Sequence, residues 1–139
     1  MRQILISAFI TALALGCGSK SSDSGSSGAA ASSPFSGTFT GTENGTQDGA
    51  SFSQTVSFTL SQTGTSVTGT WISQAGGGTV SGIASDSVVS NLEVKQTDDS
   101  CPGTLKGTMA ISGSILTVSI TGTLANCGEV VASVTATKK

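Results

Sequence analysis

The chain has 139 residues, a formal net charge of −2, a single Trp, and neither His nor Tyr, which leaves room for one ordinary domain. Without His it lacks the usual general base and the commonest metal ligand, and a mildly acidic chain with no basic cluster is a poor nucleic-acid binder. No Ser/His or Cys/His pair and no motif-placed pair of carboxylates suggests catalysis, so the expectation is a non-enzyme without cofactor or metal.

In chain order, Met1-Arg2-Gln3 is a minimal positive segment, and Ile4 to Leu15 is an uncharged, mostly apolar run. That run falls short of the roughly 20 residues a membrane-spanning helix needs, and it predicts a signal peptide over 1–16. The stretch "ALGC" (Ala14, Leu15, Gly16, Cys17) resembles the lipobox of bacterial lipoproteins, departing from it at Ala14, where Leu is commoner. The resemblance implies that Cys17 is diacylated through sulfur, that the bond before it is cut, and that the new amine is acylated. More than one chain makes the anchor stable, since a single acyl chain binds a bilayer only marginally. Gly18 rather than Asp after the cysteine implies outer-membrane sorting, and so a cell-envelope location. Residues 17–33 then read as the lipidated cysteine and a tether, because "GSKSSDSGSSGAAASS" cannot bury enough apolar surface to offset its ordering.

From Pro34 the pattern alternates with period two, the mark of half-buried strands. In "FSQTVSFTLS", Phe52, Gln54, Val56, Phe58 and Leu60 share one face, and Ser and Thr fill the other. Eight such runs are expected, at about 36–42, 52–61, 65–73, 79–84, 88–97, 104–112, 115–123 and 129–137. "ENGTQDG", "QTGT", "QAGGG", "SDS", "DDSCPG", "SGS" and "ANCG" separate them as turn signals. The expected fold of 34–139 is all-β, an eight-stranded antiparallel up-and-down barrel, with an eight-stranded sandwich as the alternative. The Ser- and Thr-rich non-core face lacks the apolar band of a membrane-spanning barrel.

Gly-Thr recurs at Gly37, Gly41, Gly69, Gly107 and Gly122, with each glycine on the inward parity of its strand. There it makes room for bulky neighbours or permits a sharp bend. "SGTFTGT", "SFTLSQTGTSVTGTW" and "SQAGGG" resemble the opening strands of avidin-like and lipocalin-like (calycin) barrels. The resemblance implies the architecture of a small barrel. The Trp-rich lining with which avidins hold biotin is absent, so it implies no particular ligand.

In an up-and-down barrel the connections after strands 1, 3, 5 and 7 share a rim. All the long turn segments fall there, which predicts a ligand mouth with long loops. Cys101 and Cys127 land at the same rim and, with Cys17 assigned to lipid, form an even pair suited to a disulfide in an exported protein. Glu43, Asp48, Asp98, Asp99 and Glu129 also count to this rim and form a candidate acidic surface for a basic protein partner. Trp71, Gln54, Ser90 and Gln96 lie on the inward parity and are the candidate ligand-binding residues for a small, fairly apolar molecule. The function expected is therefore a lipid-anchored binding module, by its barrel interior or its acidic rim. A structural or adhesive surface protein is the alternative.

Overall fold

The computed structural model describes residues 33–139; the signal peptide, Cys17 and nearly all of the tether segment lie outside the described residues. Eight strands close into one antiparallel barrel in simple sequential order, β1 pairing with both β2 and β8. They are β1 (Gly37–Gln47), β2 (Ala50–Thr63), β3 (Ser66–Ser73), β4 (Gly76–Ser85), β5 (Val88–Gln96), β6 (Gly103–Ser112), β7 (Ile115–Leu124) and β8 (Gly128–Lys138). The up-and-down barrel, not the sandwich, is the architecture.

Alternation drives the closure. On β7, Leu116, Val118, Ile120 and Leu124 are buried, while Thr117, Ser119, Thr121 and Thr123 are exposed. The outer face is rich in Ser and Thr, which remain hydrated while Thr favours extended backbone, and it also exposes Ile72, Ile83, Val88, Ile115 and Val131. Across β1, β2 and β3 the inward Phe39, Phe58 and Trp71 stand directly opposite one another and form an aromatic row. Bulky inward residues elsewhere face glycines: Phe52 opposite Gly45, Val56 opposite Gly41, Trp71 opposite Gly78, Ile120 opposite Gly107. At Gly107 the approach is so close that a Cβ would fall onto the carbonyl of Ser119 and the Cα of Ile120. The glycines therefore both spare volume and let the strands coil, as the sequence suggested.

Two expected loops are instead strand. β1 runs on through Gln47, so only Asp48-Gly49 turns the chain. Both residues have positive φ, 48° and 81°, matching the two-residue hairpin turn that follows strand twist. The sequence holds two competing turn dipeptides here, Asn44-Gly45 and Asp48-Gly49, and pairing of Glu43–Gln47 with both β2 and β8 selects the second. Likewise "QAGGG" turns only at Gln74-Ala75, and its glycines begin β4. The expectation of four long loops is therefore corrected. The longest connection at that rim is 97–102, between β5 and β6; that between β7 and β8 is 125–127.

The same rim carries the Cys101–Cys127 disulfide, which joins those two connections with Cα atoms 5.5 Å apart. Closing a 26-residue segment contributes about 3–4 kcal/mol in the chain-entropy account. At the opposite rim Phe35, wholly buried, plugs the barrel ahead of β1. Its N–H donates to Gln62 Oε1 (3.3 Å), and the Gln62 N–H donates to Ser36 Oγ (2.9 Å). Lys138 also lies at that end, its Nζ 5.7 Å from the Phe39 ring centroid. The barrel is thus shut at the end where the chain enters, and the disulfide joins two connections at the other.

Gly107→Ala should destabilise the barrel by roughly 3 kcal/mol, the upper part of the range for overpacking, because backbone and not a mobile side chain receives the methyl group. Denaturant unfolding checks this, with Gly113→Ala as the contrast. That turn glycine meets no neighbour, and its cost comes from its φ of 60° alone.

Candidate functional site

The open end of the barrel leads into a cavity of about 200 Å³, about the volume of seven waters. Its walls are apolar: Phe52, Val56 and Phe58 from β2, Trp71 from β3, Val94 from β5 and Leu105 from β6. Below it the interior is filled, with Phe35, Phe39, Met109 and Leu116 all essentially unexposed. Polar residues line this upper chamber as well, among them Glu43, Gln54 and Gln96.

Glu43 is a correction to its expected place on the acidic rim. With β1 extending past it, its parity is that of Phe39 and Gly41, and it points inward at 7% exposure. Inward parity was legible from Phe39. It was obscured because the remaining inner residues of β1 are Gly and Gln, which give no hydrophobic period. Gln54 Nε2 donates to Glu43 Oε2 at 2.8 Å, while Gln54 Oε1 accepts the Ala75 N–H at 3.2 Å. The Ala75 donor orients the Gln54 amide so that its NH₂ side meets the carboxylate. Desolvation pushes the Glu43 carboxyl above the usual carboxylate range, opposed by the smaller effect of the Gln54 hydrogen bond. Gln54 is the carboxylate's sole hydrogen-bond partner among the described residues. No fully buried side-chain N or O there lacks a partner. Glu43 Oε1 therefore opens onto the cavity, and so does the Gln96 amide, which has no hydrogen-bond partner among the described residues.

Trp71 lines the same chamber at 8% exposure. Its Nε1–H is taken by the Lys95 carbonyl at 3.3 Å, so its aromatic ring is what it offers a guest. Gln54, Gln96 and Trp71 thus share one wall space, as their common inward parity suggested.

Ser90 does not join them, and its expected place on the inner face is corrected. β5 carries one extra residue against both neighbours: Val89 pairs with Met109 and Leu92 with Gly107, while Ser90 opposes Ile83 and Glu93 opposes Ser81. This bulge, with Asn91 at φ 49°, shifts the parity by one. Val89 turns in, Val88 and Ser90 turn out, and the Ser90 hydroxyl bonds the Ile83 carbonyl on the outer surface. Apolar residues three apart, Val89 and Leu92, around an Asn were the sequence's trace of it.

The other rim acids are where the strand count put them. Asp48 occupies the β1–β2 turn, its N–H donating to the Glu129 carbonyl (2.8 Å), and Glu129 and Asp99 are exposed. The Asp98 carboxylate accepts from both the hydroxyl and the N–H of Ser100, which holds its pKa below the ordinary value. These bonds tie Asp98 to its own loop. Among the described residues no three His, Cys, Asp or Glu side chains gather as a metal site.

Glu43 makes stability depend on pH. Its folded-state pKa is raised, so the native state holds the proton more tightly than the unfolded chain. Its contribution is fully present below the unfolded value near 4.5 and is lost as pH rises through the raised value. Glu43→Gln should therefore be more stable than the wild type at neutral pH, and the gain should shrink toward acid. Chemical denaturation at a series of pH values measures both effects.

No protein-family model matches the chain, and no curated protein matches it. Among solved structures, it is similar to the crystal structure of zebrafish ileal bile acid-binding protein complexed with cholic acid. The identity is 18%, the match covers 77% of this chain and all of the other, and the TM-score is 0.39.

Proposed function

We propose that the protein is a non-catalytic, lipid-anchored module of the cell envelope that takes a small molecule into the open end of its barrel. The observation that carries the binding reading is the chamber itself. It is an apolar space of about 200 Å³ in which Glu43 and Gln96 keep hydrogen-bonding atoms unspent by the protein. A fold optimised only for stability would fill such a chamber, because unfilled volume costs free energy. Concave, mostly apolar sites with a few convergent polar atoms are the usual form of small-molecule pockets. The anchoring reading rests on "ALGC" and on the chain's entry at the closed rim, next to Phe35. A membrane tether attached there leaves the mouth at the far end of the barrel.

Trp71, the only Trp in a chain without Tyr, is a built-in reporter. Benzyl alcohol, a neutral probe small enough for the chamber, should shift its fluorescence saturably at roughly millimolar concentration. Val56→Phe and Val130→Phe, which fill the chamber at two depths, should each weaken that response at least tenfold. No saturable response in the wild type, or an unchanged one in both folded variants, would overturn the pocket.

For the anchor, mass spectrometry of the mature chain should find an N-terminus at Cys17 carrying acyl chains. Cys17→Ser should leave the membrane fraction. A mature chain of unmodified mass refutes the anchor and leaves the pocket untouched.

A further inference from the structure

Resting on the pocket reading above, we infer that the ligand is a small organic cation, an ammonium with a short aromatic or alkyl body, whose charged group pairs with Glu43. Three observations converge on this. First, among the described residues Glu43 is the only charged one lining the chamber. Lys95 and Lys106, on the neighbouring strands β5 and β6, are exposed on the outer surface, and Lys106 lies 3.9 Å from Glu93. The chamber therefore holds one carboxylate without a countercharge, an arrangement that costs free energy until a cation supplies one. Second, the carboxylate's free oxygen accepts and does not donate when ionised, and Gln54 already occupies the other oxygen. A guest must bring the donor, and a charged N–H donor makes a shorter and stronger bond than a neutral hydroxyl. Third, the Trp71 indole has its N–H engaged elsewhere while its side chain lines the same space, and aromatic rings attract cations.

The remaining groups complete the fit. The unpartnered Gln96 amide offers both a donor and an acceptor to a second polar atom, while Phe52 and Phe58 supply apolar contact for the body of the molecule. The volume limits that body to about the size of one aromatic ring and a short chain. An anion of the same shape meets Glu43 in a chamber that no cationic side chain lines among the described residues, and is excluded by repulsion.

Phenethylammonium, phenethyl alcohol and phenylacetate share one body and differ in charge, so they separate charge from shape. Titrated into the full chain at pH 7.5 with Trp71 fluorescence as the signal, phenethylammonium should saturate at a concentration at least tenfold lower than the alcohol, and phenylacetate should not bind. In Glu43→Gln the cation and the alcohol should come within about twofold of each other. If the alcohol or the carboxylate binds the wild type as tightly as the cation, or the cation's preference survives Glu43→Gln, the inference is overturned while the pocket stands. If none of the three saturates, both fall.

Discussion

Everything in this barrel depends on how little space eight strands enclose. An eight-stranded barrel is just wide enough for side chains to fill, so its bulky inward residues need small ones among their cross-strand neighbours. Here glycine is that small residue, opposite Phe52, Val56, Trp71 and Ile120. The aromatic row Phe39–Phe58–Trp71 runs through the space that results. The same glycines bring strand backbones close enough to coil, so the volume constraint and the closure of the sheet are met by one set of residues.

The filling is not uniform along the barrel axis. Toward the closed rim Phe35, Phe39, Leu116 and Met109 pack without exposure, and the turn at Gly64-Thr65 is bonded to the strand end beside it, Ala84 N–H to the Thr65 carbonyl at 2.7 Å. Toward the open rim the inward positions pass to Gly45, Gln47, Glu43 and Gln96, residues that either leave volume empty or hold a polar atom in it. The disulfide between the β5–β6 and β7–β8 connections braces this less densely packed end. Glu43, one of few charged residues in the chain, is buried in this less densely packed half.

Much of the candidate site was legible from parity alone. Gln54 sits two residues before Val56 and four before Phe58, and strict alternation carries it inward; Trp71 and Gln96 follow by the same rule. The rule failed where the backbone departed from regular pairing or where the inner face had no apolar residue to mark it. Ser90 lies one residue beyond the point where the bulge at Asn91 changes parity, and a bulge is a relation between strands that one strand's sequence only hints at. Glu43 was lost because Asn44-Gly45 is as good a turn signal as Asp48-Gly49, and local propensity cannot choose between them.

The sequence by itself determined the strand number, the antiparallel order, the Ser/Thr exterior and the rim on which Cys101 and Cys127 meet. These follow from a two-residue period and short connections, which are local properties of the chain. The lengths of β1 and β4, the burial of Glu43, the outward turn of Ser90 and the division of the interior into a packed half and an open half were decided only by the tertiary structure. Each depends on what the neighbouring strand presents at the same height, and β1 meets β8, its neighbour across the closure, only when the whole barrel has formed.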